Sequence, residues 1–149
     1  MSSASPFRTD AIRLLEVCAG ANSRLAARRI TQFFDRELAG IGLTLAQLGL
    51  MAQIAAASDD TLGALATRTG LDQSTLSRNL WGLEAAGLVE IAIAENDQRR
   101  RAVWLTEHGA RRLQAAIPVW RDAHAALAKR LDPNLALRLG KASEWLAAE

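Results

Sequence analysis

Apolar residues recur with helical spacing along most of the chain. In the first such stretch, Ile12, Ile30 and Phe33 fall on one side of a helix drawn at about 100° per residue. Gly20 can introduce a kink there. The stretch 45–57 is more apolar all round, so we expect its helix at the centre of the core. The spacing predicts helices over residues 9–38, 45–57, 62–69, 73–86 and 107–131, with a last helix from Pro133.

Residues that start and stop helices stand at the boundaries of these segments. The predicted N-caps are Thr44, Thr61, Asp72 and Thr106. A side-chain oxygen at such a position can accept a hydrogen bond from an N–H group of the first turn. Glycines follow three of the segments, in GIGLT (40–44) and at Gly70 and Gly87, where they can end a helix.

A different pattern separates the fourth helix from the long fifth one. Residues 88–94 alternate loosely between apolar and polar positions, ENDQRR forms a polar turn, and residues 102–106 read as a returning strand. The pattern predicts a β-hairpin. The expected fold class is therefore mainly α with a small β-hairpin wing.

The helices over 62–69 and 73–86 are joined by a short turn, which is the spacing of a helix-turn-helix. Leucines form the inner stripe of the second helix, and its start presents outward the candidate DNA-binding residues Gln73, Ser74, Thr75, Ser77 and Arg78. Amide, hydroxyl and guanidinium groups are those that reach base edges and phosphates. The alternative is that this stretch is an ordinary N-cap with solvated neighbours.

The predicted hairpin carries three consecutive arginines, Arg99, Arg100 and Arg101. Arginines at the tip of a wing suit the narrow minor groove of DNA, although a solvated charge run on a hairpin is the alternative. Residues 61–106 contain five basic and five acidic residues, so this region is not basic overall. Arginine clustering and dimerisation would have to supply the affinity for phosphates.

Composition narrows the remaining classes of function. The chain has 149 residues, a net charge of +2, one cysteine and two histidines, which argues against a disulfide framework and a metal site. No phosphate loop or nucleophile elbow appears, so we expect neither catalysis nor a cofactor. The start of the chain lacks the pattern of a signal peptide, and the apolar stretch 45–57 is too short to span a bilayer. We expect a cytoplasmic protein with no membrane partner.

Three segments resemble the MarR family of bacterial winged helix-turn-helix regulators. They are GLTLAQLGLM (42–51), TLGALATRTGLDQSTLSRNLWGLEAAGLVE (61–90) and DQRRRAVWLTEHG (97–109). The resemblance implies one MarR-like domain over 1–149. Residues 44–106 would form the DNA-binding region, and 1–39 and 107–149 would form N- and C-terminal dimerisation helices.

The resemblance also implies a function. A homodimer would read double-stranded DNA at a pseudo-palindromic operator, as a repressor released by a small molecule or by oxidation. Asp97 and Arg99 match the acid and arginine of the family's wing, where the arginine enters the minor groove and the acid helps to position it. A winged-helix module that binds protein partners and no DNA is the alternative.

Polar residues on the apolar side of the first helix indicate where a signal could enter. Cys18, Asn22 and Arg29 fall near its buried side by phase, and burial without a partner would be costly. They can meet a dimer partner, or form an effector pocket in which Arg29 or Asn22 holds the carboxylate of a small aromatic acid. Cys18 is either buried and inert or a sensor of oxidants. Trp81, on the outer side of the fourth helix, either packs on a neighbouring element or donates its indole N–H to a phosphate.

Overall fold

The computed structural model describes residues 5–94 and 97–147, and for residues 94 and 97–100 it describes the backbone alone. Its α-helices are α1 (Pro6–Val17), α2 (Ala19–Leu38), α3 (Leu45–Ala56), α4 (Leu62–Thr69), α5 (Gln73–Ala85), α6 (Glu107–Ala128) and α7 (Pro133–Ala142). Strands β1 (Val89–Ala94) and β2 (Asp97–Leu105) form an antiparallel hairpin between α5 and α6. Short 3₁₀ helices cover Ala39–Ile41 and Glu144–Ala147. The predicted fold class, mainly α with a β-hairpin wing, is confirmed.

Helix α3 lies at the centre of the core, as its composition predicts. Its buried residues are Leu48, Leu50, Met51 and Ile54. It contacts α2, α4, α5, α6 and β2. A helix that meets neighbours on most sides needs apolar residues all round, which explains its weak amphipathic pattern.

All four predicted N-caps form. The hydroxyl groups of Thr44, Thr61 and Thr106 each accept a backbone N–H bond from three residues further on, at 3.2, 3.2 and 2.9 Å. Thr44 forms a capping box with Gln47, whose side-chain oxygen accepts the N–H of Thr44 at 3.0 Å. Asp72 caps α5 in the same way. These bonds satisfy N–H groups that have no partner within the helix.

The prediction of one helix over residues 9–38 with a kink at Gly20 is wrong. The chain forms α1 and α2, which break at Cys18, and Gly20 lies inside α2. Cys18 is extended, with φ −65° and ψ 109°, and begins α2 as its N-cap. The Asn22 amide donates to the Cys18 carbonyl at 3.0 Å and to the Glu16 carbonyl at 3.2 Å. This side chain therefore gives the Glu16 carbonyl a donor, whereas the Cys18 carbonyl also accepts the backbone N–H of Asn22 at 3.0 Å.

The hairpin is longer than predicted, because β2 begins at Asp97 and not at residue 102. Its register pairs Ile91 with Val103, and the pairing becomes irregular beyond Ile93. Backbone pairing alone can extend a strand through a polar sequence. The backbone of the three arginines is consequently part of the strand. The N–H of Val103 also donates to the Asp60 carbonyl at 2.8 Å, which ties the hairpin to the loop before α4.

Thr106 and Gly109 attach the hairpin to α6. The Thr106 hydroxyl donates to the Gly87 carbonyl at 2.7 Å, and its backbone N–H donates to the Leu88 carbonyl at 3.1 Å. A Cβ atom at Gly109 would lie 1.9 Å from that same carbonyl oxygen. Residues 105–109 therefore combine a helix cap with a close approach of two backbone segments that only glycine permits.

Side chains from two helices fix the junction between α2 and α3. The backbone N–H of Leu45 donates to Asp35 Oδ1 at 2.7 Å, and Arg112 Nη1 on α6 donates to the Ile41 carbonyl at 2.8 Å.

Within residues 5–94 and 97–147, no single helix is long and apolar enough to cross a bilayer. Only the segments Ala19–Ile41 and Leu45–Ala56 taken together reach that length and composition, across a bend of 77°.

Candidate nucleic-acid interface

The helices α4 and α5 form the predicted helix-turn-helix. Gly70 ends α4 with φ 64°, a left-handed conformation that glycine adopts without strain. Leu71 follows as a half-buried residue of the turn, and Asp72 begins α5. The inner stripe of α5 is buried through Leu76, Leu80 and Leu83. The opposite face of this helix consequently points away from the core.

The start of α5 is organised around the Asp72 carboxylate. Oδ1 accepts the backbone N–H of Thr75 and the hydroxyl of Ser74, both at 2.9 Å, and Oδ2 accepts the Thr75 hydroxyl at 2.7 Å. These bonds stabilise the charged form. The backbone bond from Thr75 contributes most, and together they lower the pKa of Asp72 from 3.8 to about 2.

The five predicted residues of α5 therefore separate into two groups. The hydroxyl hydrogens of Ser74 and Thr75 are used in the cap, and Thr75 is half-buried. Gln73, Ser77 and Arg78 are exposed, and their side chains make no hydrogen bond with any other described residue. These three can donate outward without breaking an internal bond.

The predicted wing residues Asp97, Arg99 and Arg100 have side chains that lie outside the described residues. Their backbone belongs to β2, whose partner β1 contacts α5. Arg101, the next residue, is exposed and pairs with Ile93. The hairpin therefore lies directly beside the helix-turn-helix and carries cationic side chains.

Two tryptophans in this region have different surroundings. Trp104 pairs with Glu90 across the hairpin, and its indole N–H donates to Glu90 Oε2 at 3.1 Å. Sequence pattern alone does not reveal this contact, because it depends on the strand register. Trp81 on α5 is 71% exposed, so it does not pack on a neighbouring element of the chain.

The residues predicted for a dimer contact or an effector pocket lie at the start and in the middle of α2. Asn22 and Arg29 are exposed in the single chain, so their contact with a dimer partner or an effector stays a prediction. Cys18 is half-buried at the break between α1 and α2. The Asn22 amide is bonded to backbone carbonyls beside that break.

An open apolar cavity of about 650 Å³ lies instead between α3 and α6. Its lining residues are Leu45, Leu48, Gly49, Ala52, Ala55, Ala56, Leu113, Ile117 and Trp120. None of Cys18, Asn22 and Arg29 lines it. Small residues recur at every third or fourth position of α3, and this spacing is the signal of the cavity in the sequence. The α6 residues opposite them are distant in the chain, so the spacing alone does not predict the cavity.

The chain is similar to a known protein family and to several solved structures. The model of the MarR family matches residues 41–100. M. tuberculosis transcriptional regulator MosR in complex with DNA is 32% identical, with a TM-score of 0.79 over 88% of this chain and 97% of that one. A cysteine-to-serine mutant of E. coli MarR complexed with operator DNA is 25% identical, with a TM-score of 0.74 over 89% and 96%. The S. aureus MepR–DNA complex shares the fold at 19% identity, with a TM-score of 0.71 over 88% and 98%. No curated protein matches the sequence.

The chain has a winged helix-turn-helix, and it is similar to MosR along most of its length. These two findings define the class of protein. The chain belongs to the MarR family of transcription regulators, which are not enzymes.

Proposed function

We propose that this protein is a homodimeric, sequence-specific DNA-binding repressor that a small molecule releases from its operator. The observation that carries the proposal is the exposed face of α5, where Gln73, Ser77 and Arg78 point outward beside the hairpin. MosR and E. coli MarR, which share the fold of this chain, are described in complexes with DNA. A protein that binds chromosomal DNA acts in the cytoplasm, which is the location we propose.

The chemistry of α5 suits a major groove. A guanidinium group reads guanine through two acceptors, and an amide reads adenine through a donor and an acceptor. Arg78 and Gln73 supply these groups, and Ser77 is small enough to allow close approach. The Ser74 and Thr75 hydroxyls already donate their hydrogens to the Asp72 carboxylate. In the proposed complex these two residues therefore accept hydrogen bonds or contact the DNA backbone. Arg99 and Arg100 of the wing would meet the adjacent minor groove, and Asp97 would help to position Arg99.

Exposed apolar residues at both ends of the chain support a dimer. Neither α1 nor α7 contains a buried residue. The exposed large apolar residues there are Phe7, Ile12, Leu14, Leu15, Val17, Leu135, Leu137, Leu139, Trp145 and Leu146. Monomers rarely leave so many apolar side chains in water. Two copies that cover these faces would also place two α5 helices on one pseudo-palindromic site.

The apolar cavity between α3 and α6 supports release by an aromatic ligand. Its volume of about 650 Å³ is within the range of small-molecule sites. Trp120 offers a ring for stacking, whereas none of the described residues that line the cavity is charged. We therefore place the ring of an aromatic acid inside, with its carboxylate directed to the open side. Because α3 contacts α5, a ligand between α3 and α6 can change how α5 is held.

Fluorescence anisotropy on the intergenic DNA upstream of the protein's own gene tests the proposal. A labelled duplex and a scrambled duplex of equal length are titrated at two salt concentrations. We expect tighter binding to the native sequence and a steep loss of affinity with salt. Salicylate and hydrogen peroxide are then added separately, which distinguishes a ligand-released repressor from one that responds to oxidation of Cys18. Equal binding to both duplexes would contradict sequence-specific autoregulation, and no binding to either would favour a winged helix that binds protein partners.

A further inference from the structure

Trp81 is the largest side chain on the outward face of α5 and is 71% exposed. At about 100° per residue it falls within about 20° of Ser74 and opposite Leu83. Its indole N–H has no acceptor among the described residues. An apolar ring and an unused donor thus extend from the face that we propose enters DNA.

The position of Trp81 along α5 determines which part of DNA it can reach. It lies seven residues after Ser74, which is about 10 Å along the helix axis at 1.5 Å per residue. The major groove is only about 12 Å wide. When the first turn of α5 is at the base edges, a side chain two turns further on meets the sugar–phosphate wall of the groove.

We propose that Trp81 holds α5 on the DNA backbone: its indole N–H donates to a phosphate oxygen and its ring packs on the adjacent deoxyribose. This inference rests on the proposed function, in which α5 occupies the groove. The indole is a donor only and phosphate oxygens are acceptors, so the two groups match. The contact positions the helix and reads no base.

The neutral charge of Trp81 gives this contact a distinctive property. Binding by arginine or lysine releases counterions and therefore weakens with salt, whereas a neutral donor releases none. A backbone contact of this kind adds affinity in a region whose sequence contains five basic and five acidic residues over 61–106. Trp81 thus contributes affinity that persists at high salt.

The test is anisotropy of Trp81→Ala and Trp81→Phe on the upstream duplex and on the scrambled duplex, over a series of salt concentrations. Loss of a hydrogen bond to a charged group predicts about tenfold weaker binding of Trp81→Ala to both duplexes. We expect an unchanged salt slope, whereas loss of one phosphate-bound arginine lowers the slope by about one. Trp81→Phe keeps a ring and should fall between. Trp104→Phe is the matched control, because its indole N–H is already bonded to Glu90, and it should bind as the wild type does.

A second measurement distinguishes the loss of this contact from a folding defect of the Trp81→Ala variant. In a variant with Phe at positions 104, 120 and 145, Trp81 is the only fluorophore, and either duplex should quench its emission. Unchanged affinity of Trp81→Ala, or unquenched emission on a duplex that binds, would overturn the contact while the proposed function stands. A loss confined to the upstream duplex would also overturn it, because Trp81 would then read sequence. Absence of wild-type binding to both duplexes would remove the proposed function and this inference together.

Discussion

The middle of the chain and its two ends differ in how their apolar residues are covered. In the middle, Met51, Leu65, Leu83 and Val89 have almost no contact with water. In α1 and α7, at the ends, no residue is buried, and leucines stand in solvent on both helices. The helix-turn-helix and its hairpin therefore have a core within the single chain, and the ends do not.

This difference shows what a helical pattern of apolar residues can and cannot predict. The pattern in residues 9–38 and from Pro133 onward is as regular as that in α5, and it predicts helical structure there, although not the break at Cys18. It indicates that one face of each helix is to be covered, but it does not identify what covers it. In α5 the cover is the rest of the chain, and at the ends we propose a second copy.

The largest effect should come from making the exposed apolar faces of the ends polar. We expect Leu15→Glu combined with Leu137→Glu to give a monomer of 16.1 kDa by light scattering, whereas the wild type is twice that mass. A monomer holds only one half-site, so its affinity for the upstream duplex should fall by about 100-fold or more.

A control substitution in the middle of the chain distinguishes the effect of added negative charge from the loss of the dimer. Gln53→Glu adds one negative charge at an exposed position of α3. It should leave the dimer intact. A double variant that stays dimeric, or a wild type that is already monomeric, would contradict the proposed role of the ends.

The next largest effect concerns the middle alone. Gly109→Ala would place a Cβ atom 1.9 Å from the Leu88 carbonyl oxygen, so the hairpin must move away from α6. We expect a loss of about 2–4 kcal/mol in the free energy of unfolding. Thermal unfolding monitored by circular dichroism measures it. Gly63→Ala, whose Cβ would meet nothing within 4 Å, should keep the wild-type melting temperature or raise it slightly.

The sequence predicts elements best where a local signal and the core agree. The bounds of α4 are those predicted, because Thr61 caps its start and Gly70 ends it in the left-handed conformation. The break at Cys18 could not be predicted, because it depends on the extended backbone of one residue and on the Asn22 amide that bonds the carbonyls beside it. Local propensity does not encode either feature.

The candidate site is predictable to a similar extent. Helical phase places Gln73, Ser77 and Arg78 outward, and the structure agrees. Phase does not predict that the Ser74 and Thr75 hydroxyls turn to Asp72, because side-chain rotamers decide it. The apolar cavity depends on the packing of α3 on α6, whose residues are far apart in the chain, so no local pattern defines it.

A smaller effect should distinguish an arginine of the middle from one of the ends. Arg78 and Arg28 are both exposed, on α5 and α2. Arg78→Ala should weaken binding to the upstream duplex by about 1–3 kcal/mol and relax its preference over other sequences. Arg28→Ala removes the same charge away from the proposed interface. If anisotropy shows equal losses for both variants, net charge and not α5 controls binding.

The smallest effect concerns two aspartates that cap helices in the two regions. Asp72 caps α5 in the middle, and Asp132 caps α7 near the end by accepting the Asn134 N–H at 2.9 Å. The pKa of Asp72 is lowered from 3.8 to about 2 in the folded protein, so its charged form stabilises the fold above the unfolded pKa. That contribution should decline as the pH falls from about 4 towards 2, where the carboxylate is half protonated in the folded state and almost fully protonated in the unfolded state. We therefore expect Asp72→Ala to melt a few degrees below the wild type at pH 7 and to approach it at pH 2. Because α7 has no buried residue within the single chain, Asp132→Ala should lower the melting temperature at pH 7 less than Asp72→Ala does. A pH-independent difference for Asp72→Ala would mean that the cap acts through its geometry and not through its charge.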